Sequence, residues 1–320
     1  MADNGHNQPT QGEVPEDANE HCPGTRSEAA GKSDACKGCP NQEVCATAPK
    51  GPDPDLVAIA ERMATVKHKI LVLSGKGGVG KSTFSAQLSF ALAGMGLQVG
   101  LLDIDICGPS IPKMLGLEGQ DIHQSSLGWS PIYLESNLGV MSVGFMLPHP
   151  DEAQFLKDVD WGELDYLVHI SIAQYLLATG VDGAVVVTTP QEVALADVRK
   201  EISFCRKVGI RVLGVVENMS GLRQPLAGFR FVRPGDGADR APELLALEGC
   251  AEVFAASRGG ALGMCRDMHV PFLGKVPLDP QLCRAAEEGR SCFEDQRCAA
   301  SAPAIREIVE KLLAAGDATQ

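Results

Sequence analysis

The segment LSGKGGVGKST, residues 73–83, constrains the fold more than any other part of this chain. It continues the apolar run KILV and opens the helical pattern SAQLSFALAGMG, so a strand, a glycine-rich loop and a helix come in that order. Gly75, Gly80, Lys81 and Ser82 match the spacing GxxxxGK[ST], in which glycines turn main-chain amides towards phosphates, the lysine reaches the terminal phosphates and the serine binds Mg²⁺. The helix N-terminus adds partial positive charge. The loop residues predicted to bind nucleotide are Gly75, Lys76, Gly77, Gly78, Val79, Gly80, Lys81, Ser82 and Thr83.

Apolar runs alternate with helical segments along the rest of the chain. The runs are LQVGLLDID, NLGVMSVGF, LDYLV, GAVVVTT, RVLGVVEN and PFLGKV. Val, Ile and Leu on both faces of such runs are typical of strands covered by helices on either side. We therefore expect an α/β fold with a doubly wound, mainly parallel sheet, and we expect the tail helix APAIREIVEKLLAA to dock against it.

Residues 1–53 differ from the rest because they are rich in Gly, Pro, Asn, Asp and Glu and show no hydrophobic period. They predict a flexible arm, with the folded domain over residues 54–320. Cys22, Cys36, Cys39 and Cys45 are the unusual feature of this arm. Disulfides, a zinc knot and an iron cofactor are the three interpretations of such a cluster.

Charge and composition exclude several classes of protein. A net charge of -13 argues against nucleic acid or an anionic membrane as the main partner. The polar, acidic start is unlike a signal peptide, and no run of 18 or more apolar residues occurs, so we expect a soluble, cytoplasmic protein. Disulfides are disfavoured in a reducing compartment, and an odd total of 11 cysteines cannot pair fully within one chain.

The second lysine of the loop, Lys76, resembles the signature lysine of the MinD-type ATPases. That resemblance implies a homodimer in which Lys76 reaches the partner's phosphates.

The segment LLDIDICGPS places Asp103 and Asp105 at the end of a strand, where a carboxylate can hold the Mg²⁺ shell, orient a water or simply cap a helix. In the resembling family Asp105 orients the attacking water. Asn218, in VVENMSG, matches the residue that contacts adenine, although asparagine is also common in turns.

The segments FLKDVDWGELDYLV and GKVPLDPQLCRAAEEGRSCFED, together with residues 99–148, resemble the Mrp/Nbp group of ATPases. Within that group they are similar to the cytosolic iron–sulfur assembly scaffolds of plants and green algae. The arm cysteines also match: one lies 14 positions before the CxxC of Cys36 and Cys39, and one lies 6 positions after it. The resemblance implies a bound [4Fe–4S] cluster, ATP with Mg²⁺, a homodimer, other cytosolic assembly factors and recipient iron–sulfur apoproteins as partners, and no nucleic acid or membrane.

Spacing alone leaves zinc and iron–sulfur open for the arm. A structural zinc site usually has two close pairs of ligands, and this arm has one pair. Four thiolates with uneven spacing can wrap a [4Fe–4S] cube, and Gly38 leaves main-chain amides free to approach its sulfides. The family resemblance favours the cube.

The chain also departs from the family pattern. A second CxxC is expected soon after ENMSG, where this chain has GLRQPLAG, so a transferable cluster needs other ligands. The candidate ligands are Cys250, Cys265, Cys283, Cys292 and Cys298.

The switch II segment, with its magnesium-sensing aspartate, is missing after Val168, where His169 leads directly to the next predicted helix. A stretch with Arg-Gly-Pro is missing between Ala153 and Gln154.

Two clean losses with intact flanks favour an incomplete gene model or skipped exons over adaptive trimming. We expect nucleotide binding with weak hydrolysis at most. The rival functions are a positioning ATPase of the MinD kind and a nucleotide-binding adaptor with a zinc arm and no hydrolysis.

Overall fold

The structure, a computed structural model, describes residues 17–25, 27–47, 54–105, 108–145, 152–170, 176, 179–226, 229 and 247–317. The chain divides into two compact units, Met1–Ala58 and Ile59–Gln320. The division falls inside helix α2 (Pro54–Met63), near the boundary that composition predicts after residue 53. No helix of the described residues combines the length and the apolar character needed to cross a bilayer.

The smaller unit contains one turn of 3-10 helix, Asp34–Cys36, and helix α1 (Gln42–Thr47). The absence of a hydrophobic period did not predict these two short segments, and the flexible arm expected over residues 1–53 stays a prediction. Side-chain amides bond the backbone here across many residues, as when Asn19 donates to the carbonyls of Ala35 and Lys37.

The larger unit is built on an eight-stranded sheet. Its elements in chain order are β1 (Val66–Leu73), α3 (Lys81–Gly94), β2 (Val99–Asp103), α4 (Ile111–Met114), β3 (His123–Ser125), β4 (Gly128–Ser130), β5 (Ile132–Glu135), β6 (Leu138–Ser142), α5 (Glu152–Asp158), β7 (Leu164–Ile170), β8 (Gly183–Thr188), α6 (Glu192–Lys207), β9 (Val212–Glu217), β10 (Leu222–Pro225), β11 (Glu248–Ala251), α7 (Gly260–Met268), β12 (Phe272–Lys275), α8 (Pro280–Glu287) and α9 (Ser301–Asp317).

The strand order is β12-β9-β8-β1-β7-β2-β6-β5, and only β5 runs antiparallel to its neighbour. The predicted doubly wound, mainly parallel sheet is therefore confirmed. Successive side chains of β1 alternate between two apolar layers: Ile70 and Val72 pack with α3 and α9, whereas Leu71 and Leu73 pack with α5. The tail helix docks as expected, since Ile305, Ile308, Val309 and Leu312 are buried in the first layer.

Strand β7 ends later than the sequence predicts. His169 pairs in register with Leu71 of β1 and Leu102 of β2, and the strand continues to Ile170. The prediction that a helix follows Val168 at once is thus wrong for these two residues, because the flanking strands extend the ladder. Residues 171–175, where that predicted helix continues, lie outside the described residues.

Candidate functional site

The phosphate loop connects the carboxyl end of β1 to the N-terminus of α3. Gly78 and Gly80 have φ values of 80° and 85°, a left-handed conformation that glycine adopts without strain. A β-carbon on Gly80 would lie 2.2 Å from Asn218 Nδ2, and one on Gly75 would lie 2.5 Å from the carbonyl carbon of Asp197. Gly80 is therefore needed for the left-handed turn, and Gly75 is needed for the close approach of the loop to the backbone of Asp197.

Asn218 braces this loop from the end of β9, which is separated from β1 by β8 in the sheet. It follows β9, its backbone N–H donates to Thr188 O at 2.7 Å, and its side-chain Nδ2 donates to Val79 O at 2.9 Å. The resemblance implied that this amide contacts adenine, which stays a prediction. Sequence reasoning missed the bracing role, because nothing local to Asn218 points to a carbonyl 139 positions away.

Lys81 and the two strand-end acids meet beside the loop. Lys81 Nζ lies 2.9 Å from Asp105 Oδ2. Asp103 is 1% exposed and accepts hydrogen bonds from the Asp105 and Ile111 amides and from Ser142 Oγ. Burial raises the pKa of Asp103, and these hydrogen bonds together with nearby Lys81 oppose the shift. Asp103 thus holds the Asp105 segment in place, while Asp105 faces the lysine that the motif assigns to phosphate.

The remaining loop side chains point in different directions. Ser82 and Thr83 lie in the first turn of α3 and are half-buried, and the Thr83 hydroxyl contacts Met114 Sδ at 3.9 Å. Lys76 is 47% exposed, with Nζ 3.8 Å from Asp197 Oδ2. An exposed, loosely paired lysine is compatible with a reach to a second subunit, which remains a prediction.

The four arm cysteines come together in the smaller unit. Cys22, Cys36, Cys39 and Cys45 line one small pocket, and none of these four is in a disulfide. Cys36 is buried and the other three are half-buried. Gly38, between Cys36 and Cys39, has φ 73°, which permits the tight turn. Its own N–H donates to Gln42 Oε1 at 3.3 Å, and the approach of other main-chain amides to a cluster stays a prediction.

The donor set of this pocket fits an iron–sulfur cluster. It consists of thiols alone, and soft thiolates bind zinc or iron–sulfur centres. Within the described ranges, no three His, Cys, Asp or Glu side chains are grouped as a single metal ion requires. A [4Fe–4S] cube would bind each of the four cysteines at a separate iron, so the type and number of donors match such a cluster.

The other candidate cysteines fall into two groups. Burial raises the pKa of Cys265 and Cys292 to about 12 and of Cys298 to about 11, so these thiols stay protonated in the core. Cys250 and Cys283 are exposed, and Cys250 pairs with Arg223 across the β10–β11 hairpin. Strand β10 lies within GLRQPLAG, where the resemblance implied a second CxxC. Helix α5 runs through Ala153 and Gln154, between which the resemblance implied a further stretch.

The sheet and its glycine loop define a P-loop NTPase of the MinD and ParA type. Residues 65–232 match the family described as ParA: NUBPL iron-transfer P-loop NTPase, and the chain belongs to that family. The matched range contains the phosphate loop, and the arm cysteines lie before it. The chain is therefore a nucleotide-binding P-loop NTPase.

Solved structures agree with this assignment. A nucleotide-binding protein from Archaeoglobus fulgidus, solved in complex with ADP, is 34% identical over 73% of this chain and 91% of its own, with a TM-score of 0.58. The cell division protein MinD from Aquifex aeolicus is 20% identical over 77% of this chain and 97% of its own, with a TM-score of 0.51. MinD from Pyrococcus furiosus is also 20% identical, over 77% and 98%, with a TM-score of 0.50. The two MinD proteins show the fold alone.

Proposed function

We propose that this chain is a cytosolic scaffold that binds a [4Fe–4S] cluster and, under the control of ATP, delivers it to cytosolic and nuclear apoproteins. One observation carries the proposal: four cysteines from separate positions line a single pocket in a chain of an iron-transfer NTPase family. Cys22, Cys36, Cys39 and Cys45 are the proposed ligands, and the cluster supplies the iron and sulfide that recipients need.

The nucleotide site provides the control. The loop amides and Lys81 hold the phosphates of ATP, and Ser82 binds Mg²⁺. The ADP complex of the Archaeoglobus protein supports a nucleotide at the equivalent loop. Asp105, held next to Lys81, orients the attacking water. Because the expected switch II acid is missing from the sequence, hydrolysis is slow and binding is the dominant event.

A homodimer completes the proposed site. Lys76 lies on the exposed side of the loop and is paired only at 3.8 Å with Asp197, so its charge can move to another anion at small cost. In the dimer it contacts the partner's phosphates. Nucleotide binding then shifts the population of dimer, and the change in assembly alters how readily the cluster leaves.

Anaerobic reconstitution tests the cluster. The wild-type chain is incubated with iron and sulfide beside the double variant Cys36→Ser/Cys39→Ser and the control Ser27→Ala, which changes a residue of the same unit that is not a proposed ligand. We expect broad absorption near 400 nm and equal iron and acid-labile sulfide in the wild type and the control, and neither in the double variant. Zinc bound in place of iron favours the adaptor, and nucleotide-dependent binding to lipid vesicles favours a positioning ATPase.

A transfer assay tests the control by ATP. Loaded chain is mixed with an apoprotein that takes a [4Fe–4S] cluster, with and without Mg-ATP, and recipient activity is followed. We expect ATP to change the transfer rate for the wild type and to have no effect on Lys81→Ala, which retains its cluster. Equal responses in both chains would contradict the proposed control.

A further inference from the structure

Ser33 makes an unusual contact next to the cysteine pocket. It is the N-cap residue of the 3-10 turn Asp34–Cys36, yet its side chain makes no capping hydrogen bond. Its hydroxyl lies 3.2 Å from Cys36 Sγ instead. Serine at an N-cap normally bonds the backbone amides of the next turn. The Ser33 hydroxyl therefore contacts the sulfur instead of capping the 3-10 turn.

Cys36 is also the most firmly placed of the four thiols. It is 6% exposed, whereas Cys22, Cys39 and Cys45 are half-buried. Asn19 Nδ2 donates to Ala35 O at 3.1 Å and to Lys37 O at 3.0 Å, and so ties down the residues on both sides of Cys36. The backbone N–H of Cys36 donates to Ser33 O at 2.9 Å. These bonds fix the distance between the Ser33 hydroxyl and the sulfur.

Iron binding decides the direction of this hydrogen bond. When Cys36 is a thiol, either atom can donate. A sulfur that ligates iron carries no proton, so it can only accept, and the Ser33 hydroxyl must then be the donor. Hydrogen bonds to cluster sulfurs are among the features that set reduction potential. An added electron increases the negative charge on the sulfurs, so a donor stabilises the reduced cluster more than the oxidised one.

We infer that Ser33 is a positioning residue that donates a hydrogen bond to the Cys36 sulfur and thereby raises the reduction potential of the bound cluster. The inference rests on the proposed function, because it requires a cluster on the arm cysteines. It makes the cluster asymmetric, since the Cys36 corner is buried and hydrogen-bonded while the other three ligands are half-exposed.

Redox titration of the loaded full-length chain tests this inference, with three variants. Ser33→Ala removes the hydroxyl, and Ser33→Thr keeps it. Ser27→Ala is the matched control, because Ser27 lies in the same unit and its hydroxyl accepts from the Ala29 amide rather than contacting a cysteine. For Ser33→Ala we expect the ratio of reduced to oxidised cluster at fixed potential to fall by up to about tenfold, which is about 59 mV for a one-electron couple.

Ser33→Thr and Ser27→Ala should keep the wild-type potential. Loss of iron uptake in Ser33→Ala alone would contradict the inference, because the hydroxyl would then be needed to form the site rather than to set its potential. A wild-type potential in loaded Ser33→Ala, a Ser33→Thr variant that behaves like Ser33→Ala, or an equal shift in Ser27→Ala overturns it. Failure of the proposed function is distinct, because the wild-type chain itself then takes up no cluster.

Discussion

The two units of this chain are stabilised in different ways. The larger unit buries strands on both faces, with residues such as Leu71, Leu101 and Val185 fully inaccessible. In the described part of the smaller unit, the only buried apolar side chains are Ala30 and Cys36. A domain of about 60 residues buries little surface and is marginally stable from its core alone. The comparison predicts that the larger unit folds by its own core, whereas the smaller unit depends on the cluster that we propose for its cysteines.

The largest expected effect comes from removing the cluster. Oxidation and chelation of iron should abolish hydrogen-exchange protection across residues 17–47, because that unit loses its main source of stability. Strands β1 and β2 should keep their protection. Hydrogen exchange with mass spectrometry on loaded and stripped full-length chain measures both. Unchanged protection of residues 17–47 would show that this unit folds without metal and would break the comparison.

A substitution in the core of the larger unit should have the opposite effect: it should destabilise the larger unit and leave the smaller unit unchanged. Leu101 lies in β2 and is 0% exposed, so Leu101→Ala should destabilise the larger unit by about 2–5 kcal/mol. Leu127→Ala, at a leucine that is 67% exposed, is the control and should change little. Denaturant unfolding measures the free energy of unfolding of the larger unit. The iron content at denaturant concentrations below the unfolding midpoint shows whether the cysteine pocket still holds its iron. Loss of iron in still-folded Leu101→Ala would argue against independent units.

A substitution in the phosphate loop should change ATP binding without changing the fold of either unit. Lys81→Ala removes the charge assigned to the terminal phosphates, so ATP should bind more weakly by about 1.5–3 kcal/mol, the usual worth of a hydrogen bond to a charged group. Lys113→Ala, at an exposed lysine paired with Glu118, is the control. Calorimetric titration with Mg-ATP measures the affinity. Equal ATP affinities of the Lys81→Ala and Lys113→Ala variants would show that Lys81 does not contact the bound nucleotide.

The smallest effect concerns a surface pair of the larger unit. Lys67 Nζ lies 2.7 Å from Asp165 Oδ1, and this hydrogen bond lowers the pKa of Asp165 and raises the pKa of Lys67. The pair therefore stabilises the fold between the ordinary pKa values of 3.8 and 10.5. Its contribution is lost as pH falls through the folded pKa of Asp165 or rises through that of Lys67. Asp165→Asn should cost less than about 1 kcal/mol at pH 7.

Urea unfolding at several pH values checks this, with exposed Asp121→Asn as the control. The difference between wild type and Asp165→Asn should shrink as pH falls through the lowered folded-state pKa of Asp165, below which both forms are neutral at this position. A constant difference across the whole range would mean that the cost comes from packing rather than charge. Added salt should also reduce the difference at pH 7, because surface ion pairs are screened.

Sequence patterns predicted the larger unit well because its determinants are local. Residues 69–96 alone predict a strand, a glycine loop and a helix in that order. The other strands of the sheet are predicted by short apolar runs, which are typical of buried strands. The end of β7 could not be predicted, because His169 stays in the ladder through pairing with Leu71 and Leu102. The bracing of Val79 by Asn218 depends on two strands that are distant in sequence.

The smaller unit shows the converse. The spacing of its cysteines was sufficient to nominate them as ligands, and the structure places all four around one pocket. Its turns are held by Asn19 and Gln42 through single side-chain bonds that no periodic pattern reveals. The contact between Ser33 and Cys36 likewise reads in the sequence as an ordinary helix cap. Where a segment has no core, individual polar contacts decide its shape and sequence periodicity carries little information.

Mössbauer spectroscopy of the wild-type chain, loaded anaerobically with ⁵⁷Fe, tests the central claim most directly. If the four arm cysteines hold a cube, the spectrum should show the delocalised mixed-valence iron of a [4Fe–4S] cluster, and Cys36→Ser/Cys39→Ser should show none. A wild-type chain that contains only isolated thiolate-bound iron, or a double variant with the same cluster spectrum as the wild type, would contradict the account.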